Sequence, residues 1–212
     1  IAVHLIERNR DVVLADSHLY DNHEIGLLFD HCNLHQIIVH GCHISWNKFA
    51  GIKSVGGDVH NLQIVGNDIE YNNVTAGGSK ASDADSTQHP GGSEIWFDAR
   101  DGVISEVTIS GNTIQATKQI GGANIRIVGA EVRRPQPADS PATLTPDTAH
   151  LINITGNVLG SQWRAVELRN ASRITITGNT IYDSADLSVF AANCAGIVVG
   201  ANAVSWRGLD SE

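Results

Sequence analysis

An eight-residue pattern, apolar-x-apolar-x-Gly-Asn-x-apolar, returns along most of the chain and restricts it to folds built by repetition. Its clearest form is Ile174 to Ile181 (ITITGNTI), with matching copies at Leu62 to Ile69 (LQIVGNDI), Val107 to Ile114 (VTISGNTI) and Ile152 to Leu159 (INITGNVL). Looser copies lie at Val12 to Leu19 (VVLADSHL) and Ile37 to Ile44 (IIVHGCHI). Marked by the Asn position, the copies fall at Ser17, Cys42, Asn67, Asn112, Asn157 and Asn179, in steps of 25, 25, 45, 45 and 22 residues. A step of 45 residues reads as two turns of roughly 22, each hiding a half-pattern.

A second short strand follows each marked one. Ile25-Gly-Leu27, Ile52-Lys-Ser54, Ile95-Trp-Phe97, Ile125-Arg-Ile127, Val166-Glu-Leu168 and Ile197-Val-Val199 superpose, and Ile1-Ala-Val3 matches the same strand of an earlier unit. Aromatic residues are few and Gly, Asn, Thr, Val and Ile frequent, which favours strands joined by tight turns. No window keeps a 3.6-residue apolar period, so the expected class is all-β. The expected architecture is one stack of about six units over residues 1–212, with neither end offering an obvious cap. The chain starts at Ile1 and has no Met, which suggests a piece of a longer protein. Two segments break the period and are expected to project, 74–92, rich in Gly, Ser and Asp, and 130–148, which carries Pro135, Pro137, Pro141 and Pro146. Asp183 to Asn193 reads as a smaller excursion.

In these ITGNTI units the chain resembles the right-handed parallel β-helix proteins of the pectate-lyase-like superfold, over nearly its whole length. The resemblance implies a right-handed solenoid, an Asn side-chain ladder through Asn67, Asn112, Asn157 and Asn179, and a secreted or cell-surface protein. It covers polysaccharide lyases, glycoside hydrolases, epimerases, tailspikes and adhesins, among which trimers are common. The motifs of particular enzymes in it, a Gly-His-Gly with paired Asp or an Asp-Pro-x-Asp, are missing here.

Side chains alternate across a strand, so the outward columns of the two strands can be compared. That of the marked strand is bland. On the second strand one column reads Gly26, Lys53, Trp96, Arg126, Glu167, Val198 and the next Leu28, Val55, Asp98, Val128, Arg169, Gly200, with Glu94 one outward position before Trp96. An exposed Trp among charges of both signs suits a sugar ring. The expected site takes Glu94, Asp98, Arg126 and Glu167 as catalytic groups, and Trp96, Lys53, Arg169, Asp83 and Asp85 as substrate contacts. The competing reading is a ladder of cross-strand salt bridges, Arg126 to Glu167 above all. Strand spacing puts Glu94 and Asp98 about 13 Å apart, wide for a glycosidase pair at about 5.5 Å or about 6.5 to 9.5 Å. Hydrolysis would instead pair Glu94 or Asp98 with Asp83, Asp85 or Asp101. A lyase would draw a base and a carboxylate-neutralising cation from Lys53, Arg126 and Arg169.

The expected partner is thus a polysaccharide or oligosaccharide, cleaved in a groove around Trp96. The alternative is a non-catalytic binding or structural β-helix, as a homo-oligomer. With a formal charge of -9 and scattered Lys and Arg, no nucleic-acid partner is expected. No stretch is long and apolar enough for a membrane span. Cys32, Cys42 and Cys194 show no paired spacing, so neither disulfide nor zinc site is read, and no cofactor is expected. His31, His35, His40 and His43 cluster, and His18 aligns with His43 one unit away; both are read as solvated surface, with no metal.

Overall fold

In the computed structural model, which describes residues 1–72, 92–115, 120–131 and 147–205, every regular element is a strand and every strand pair is parallel. In chain order they are β1 (Val3–Ala15), β2 (His18–Tyr20), β3 (Ile25–His40), β4 (His43–Ser45), β5 (Ala50–Val65), β6 (Asp68–Glu70), β7 (Ser93–Ser110), β8 (Thr113–Gln115) and β9 (Ala123–Gly129). Then follow β10 (Ala149–Thr155), β11 (Val158–Gln162), β12 (Arg164–Arg169), β13 (Ser172–Thr177), β14 (Thr180–Ser184), β15 (Val189–Ala192), β16 (Ala195–Gly200) and β17 (Ala203–Ser205). One sheet runs β1-β3-β5-β7-β10-β13-β16 with β9, β12 and β15 continuing its other half; the second runs β2-β4-β6-β8-β11-β14-β17. The earlier repeats lend one long strand to the first sheet and the later ones two shorter strands, and each lends a short strand to the second.

The eight-residue pattern sets this register. Val12, Ile37, Leu62, Val107, Ile152, Ile174 and Ile197 face one another across successive strands. The last apolar position of the pattern supplies the short strands, where Leu19, Ile44, Ile69, Ile114, Leu159 and Ile181 are buried. These residues join Phe29, Leu34, Phe97 and Ile125 in one apolar cluster. The Gly of the pattern turns the corner between the sheets: Gly66, Gly111, Gly156 and Gly178 have φ of 66, 65, 66 and 68°, a conformation that glycine adopts without the steric cost a Cβ brings. Asp16 and Ala201 take the same conformation in the first and last copies.

After the corner comes the Asn ladder. The backbone N–H and Nδ2 of Asn67 both donate to Oδ1 of Asn112, at 2.9 and 3.0 Å. Asn112 does the same to Asn157, Asn157 to Asn179 and Asn179 to Asn202. Each Nδ2 also reaches a strand carbonyl, so that of Asn112 donates to Ile64 O at 2.9 Å.

The register corrects three expectations. The 45-residue steps are not two turns: Asn67 bonds Asn112 directly, so each is one repeat lengthened by a segment inserted into it. Those segments, residues 73–91 and 132–146, carry most of the two expected insertions and lie outside the described residues. Ile197-Val-Val199 is not a second strand but a seventh marked copy ending at Asn202 and Val204, which the Ala at its Gly position hides. The second strand of that repeat is β15, inside what reads from sequence as an excursion, with Val189 opposite Val166. At the other end Leu27, not Ile25, aligns with Ile52, because Ile25 pairs with Ala50.

Asn112→Ala removes the acceptor for two donors of Asn67 and the donors to Ile64 and Asn157. At ~1–3 kcal/mol for each buried polar group left unpaired, it should cost about 3 kcal/mol or more in urea unfolding. Asn202→Ala, at the half-buried end of the ladder, should cost about 1 kcal/mol. Equal losses would show that the ladder carries no stability beyond its single bonds.

Candidate functional site

The outward column of the second half-strand reads Leu28, Lys53, Trp96, Arg126, Glu167, Phe190, and its neighbour Asp30, Val55, Asp98, Val128, Arg169, Ala192. The expected columns hold over the four middle repeats. They fail at both ends, where Leu28 and Phe190 replace Gly26 and Val198, and Asp30 and Ala192 replace Leu28 and Gly200. Lys53, Trp96, Asp98, Arg126, Glu167 and Arg169 therefore lie together on one face.

Trp96 does not stand out from this face, contrary to expectation. It is 6% exposed, because parallel strands bring the flanking cations onto its ring. Lys53 Nζ lies 4.3 Å from the ring centroid and Arg126 Cζ 5.0 Å from it, with Phe49 tilted against its edge at 5.5 Å. Lys53 Nζ also sits 4.7 Å over Phe49. Trp96 Nε1 is buried without a hydrogen-bond partner.

Around Glu167 three guanidinium groups converge. Arg126 Nη2 donates to Oε2 at 3.3 Å, Arg164 Nη1 lies 3.3 Å from the same oxygen, and Arg169 Nε donates to Oε1 at 2.7 Å. Arg126 also donates to Gly121 O. Arg164 and Arg169 enclose Phe190, with Cζ 4.1 and 4.8 Å from its centroid, and Arg164 pairs with Asp186 at 2.7 Å. Asp98 accepts from Nε, Nη2 and the backbone N–H of Arg100. The Arg126–Glu167 salt bridge named as the competing reading is thus present. Phe49, Arg100, Arg164, Asp186 and Phe190 were missed by the column analysis, because all but Phe190 lie off the two columns, and Phe190 emerges only once the last repeat is placed in register.

Glu94 belongs elsewhere. Alternation along β7 predicts an outward side chain, but this residue sits at the corner opening the strand and is fully buried. Its carboxyl accepts from the backbone N–H of Asn72 at 3.0 Å and from Nδ2 at 2.6 Å. Asn72 in turn accepts from Asn47, and Asn47 from Asn22. This second ladder lies five residues beyond Ser17, Cys42 and Asn67, a spacing plain in the sequence once sought. Gly51, opposite the Glu94 corner, leaves room for it, since a Cβ there would meet Asn72 Nδ2 at 3.0 Å. Asp83 and Asp85 lie outside the described residues.

Burial pushes the Glu94 carboxyl up to about 8, although the Asn72 bonds oppose the shift. Burial would raise Asp98 and Glu167 too, but the Arg100 hydrogen bonds on the first and the Arg126 charge with the Arg169 bond on the second hold them below the ordinary range. Burial draws Lys53 below its ordinary 10.5, partly offset by Asp98. Among the described carboxyls of the set, the one that burial holds protonated, Glu94, is sealed in a ladder, while Asp98 and Glu167 are ionised and paired. Among the described residues of the set, none is a protonated carboxyl that solvent reaches.

No protein-family model, curated protein or solved structure matches this chain.

Because the Glu94 pKa is raised from 4.5 to about 8 on folding, the folded state holds a proton there that the unfolded chain has lost. This stabilisation is complete below the unfolded value and disappears as pH rises through the folded one. The Tm should therefore fall between about pH 5 and pH 8.5, and Glu94→Gln, which mimics the neutral acid, should flatten that fall. An unchanged slope in Glu94→Gln would place the titration in another group.

Proposed function

We propose that this chain is a right-handed parallel β-helix that binds an acidic polysaccharide across the Lys53–Arg169 face and cleaves it by β-elimination. The handedness rests on the general rule that a crossover between parallel strands of one sheet is right-handed. The observation that carries the function is local charge. In a chain of net charge -9, five cations, Lys53, Arg100, Arg126, Arg164 and Arg169, gather on one face among the carboxylates Glu24, Asp98, Asp101, Glu167 and Asp186. Arg100 and Arg169 keep their side chains 62% and 45% exposed, while Arg126 lies behind them. A uronate carboxylate would meet Arg100 and Arg169.

Lys53 is the group suited to act as base, since burial favours its neutral amine at lower pH than usual. The amine would take the proton alpha to the carboxylate, the electron pair would become a carbon–carbon double bond, and the glycosidic oxygen would leave with a proton from solvent. Arginine next to the carboxylate stabilises the charge that builds up in between. A substrate of this class would be met outside the cell, in keeping with a secreted or cell-surface protein.

One observation favours the non-catalytic reading, a carbohydrate-binding or oligomeric β-helix: Trp96 is 6% exposed, and its neighbours already satisfy one another. A screen on uronate-containing and neutral polysaccharides separates the two. β-Elimination predicts new reducing ends together with ultraviolet absorbance from the unsaturated product, and a rate that rises with pH below the ordinary lysine range. Lys53→Met should lower the rate by about 100-fold or more with little change in Tm. Reducing ends without absorbance would mean hydrolysis, and binding without either product would leave the non-catalytic reading.

A further inference from the structure

We propose that the outer face of β3 and β5 carries a site for a divalent transition-metal ion, built from His35, Asp58 and His60. It is independent of the carbohydrate reading and uses none of its residues.

The register of the two strands creates the cluster. His35 lies opposite His60 and Asn33 opposite Asp58, so Asp58 and His60, two residues apart, point to the same side. The imidazole rings are 5.0 Å apart between centroids and inclined at 50°. Nε2 of His35 is 3.9 Å from Asp58 Oδ2, and Nε2 of His60 contacts Asp58 Oδ1. One ligand atom from each residue lies within 4.8 Å of the other two. Around a tetrahedral ion with bonds of about 2.0–2.1 Å, ligand atoms sit about 3.4 Å apart, so closing the site needs side-chain movements of about 1.5 Å at most.

Outer contacts fix the ligands in the orientation a metal needs. Ser105 Oγ lies 2.5 Å from Nδ1 of His60, in the next strand of the same column. That contact occupies Nδ1 and leaves Nε2 facing Asp58, the arrangement in which a ligating histidine donates its other N–H to a neighbouring oxygen. Asn33 Nδ2 donates to Asp58 Oδ2 at 3.3 Å and orients the carboxylate. Two imidazoles and one carboxylate suit Zn²⁺, Co²⁺ or Ni²⁺; Mg²⁺ and Ca²⁺ prefer all-oxygen shells. The His35 and His60 side chains are 27% and 26% exposed, so an ion would be reachable from solvent and keep an open position for water or another ligand.

The second His-carboxylate cluster, His43 with Asp68 and Glu70, supplies an internal control. Its Glu70 Oε2 already accepts from Gln115 at 2.7 Å, and His43 stacks on His18 with centroids 4.4 Å apart.

The test is titration of chelator-treated protein with Zn²⁺ by calorimetry and with Co²⁺ by visible absorption. The expected result is saturable binding of one ion per chain at this site, a cobalt spectrum showing nitrogen and oxygen ligands, and a Tm raised by Zn²⁺. His35→Ala and His60→Ala should each weaken binding by about 100-fold or more, and Ser105→Ala by about 10-fold. His43→Ala should leave binding unchanged. Asp58→Asn, a half-exposed substitution that keeps the side chain's shape, guards against loss of fold in the Ala variants. The proposal is overturned if the wild type binds neither ion, if binding survives His35→Ala combined with His60→Ala, or if His43→Ala alone abolishes it.

Discussion

Everything in this molecule depends on one hydrogen-bonding device, an asparagine that accepts the backbone and side-chain N–H groups of the preceding repeat on a single oxygen. At the corner between the sheets the chain leaves the ladder of strand hydrogen bonds, and its N–H groups would be buried without partners. Asn67, Asn112, Asn157 and Asn179 satisfy them and hand the same task to the next repeat. The glycine just before each lets the chain enter that corner with positive φ. Register follows, because an Asn one residue out of phase would turn every apolar side chain of its strand outward.

A second ladder, Asn22, Asn47, Asn72 and Glu94, shows what happens when the device changes chemistry. Its last member is a carboxyl that burial keeps protonated near neutral pH. A residue that reads as a catalytic acid by strand alternation therefore finds its clearest role in the frame. By contrast, the cations on the outer face keep neighbouring carboxylates ionised. The same residue type is neutral at the corner and charged on the face, and the difference is set by whether the nearest donors are amides or guanidinium groups.

The outer faces are where repetition stops being uniform. Inside, the columns of the marked strands repeat Ile, Leu or Val, since the neighbouring repeats must interlock. Outside, a column may change at every step, as from Lys53 to Trp96 to Arg126 to Glu167. In-register parallel pairing sets such different side chains one above another, which produces both the cation–aromatic sandwich of Trp96 and the pairing of His35 with His60. Either face gains its chemistry from cross-strand neighbours about 4.8 Å away in the sheet and 21 or more residues away in the chain.

The sequence by itself determined the all-β class, the equivalence of the marked strands and the Asn ladder, because a pattern of period two punctuated by Gly-Asn has few other ways to bury its Ile and Val residues. It also placed Lys53, Trp96, Arg126 and Glu167 in one column. Only the tertiary structure decided which of them solvent reaches. Corners with left-handed residues such as Gln36, Asn61, Glu106 and Leu151 carry no glycine signature, so alternation cannot be followed across them. Glu94 departs from the alternation because it opens β7 at a corner and turns into the second ladder, and the last repeat is hidden because Ala201 stands where a Gly was expected. Burial of Trp96 is a property of side chains from three strands at once, and no single stretch of sequence contains it.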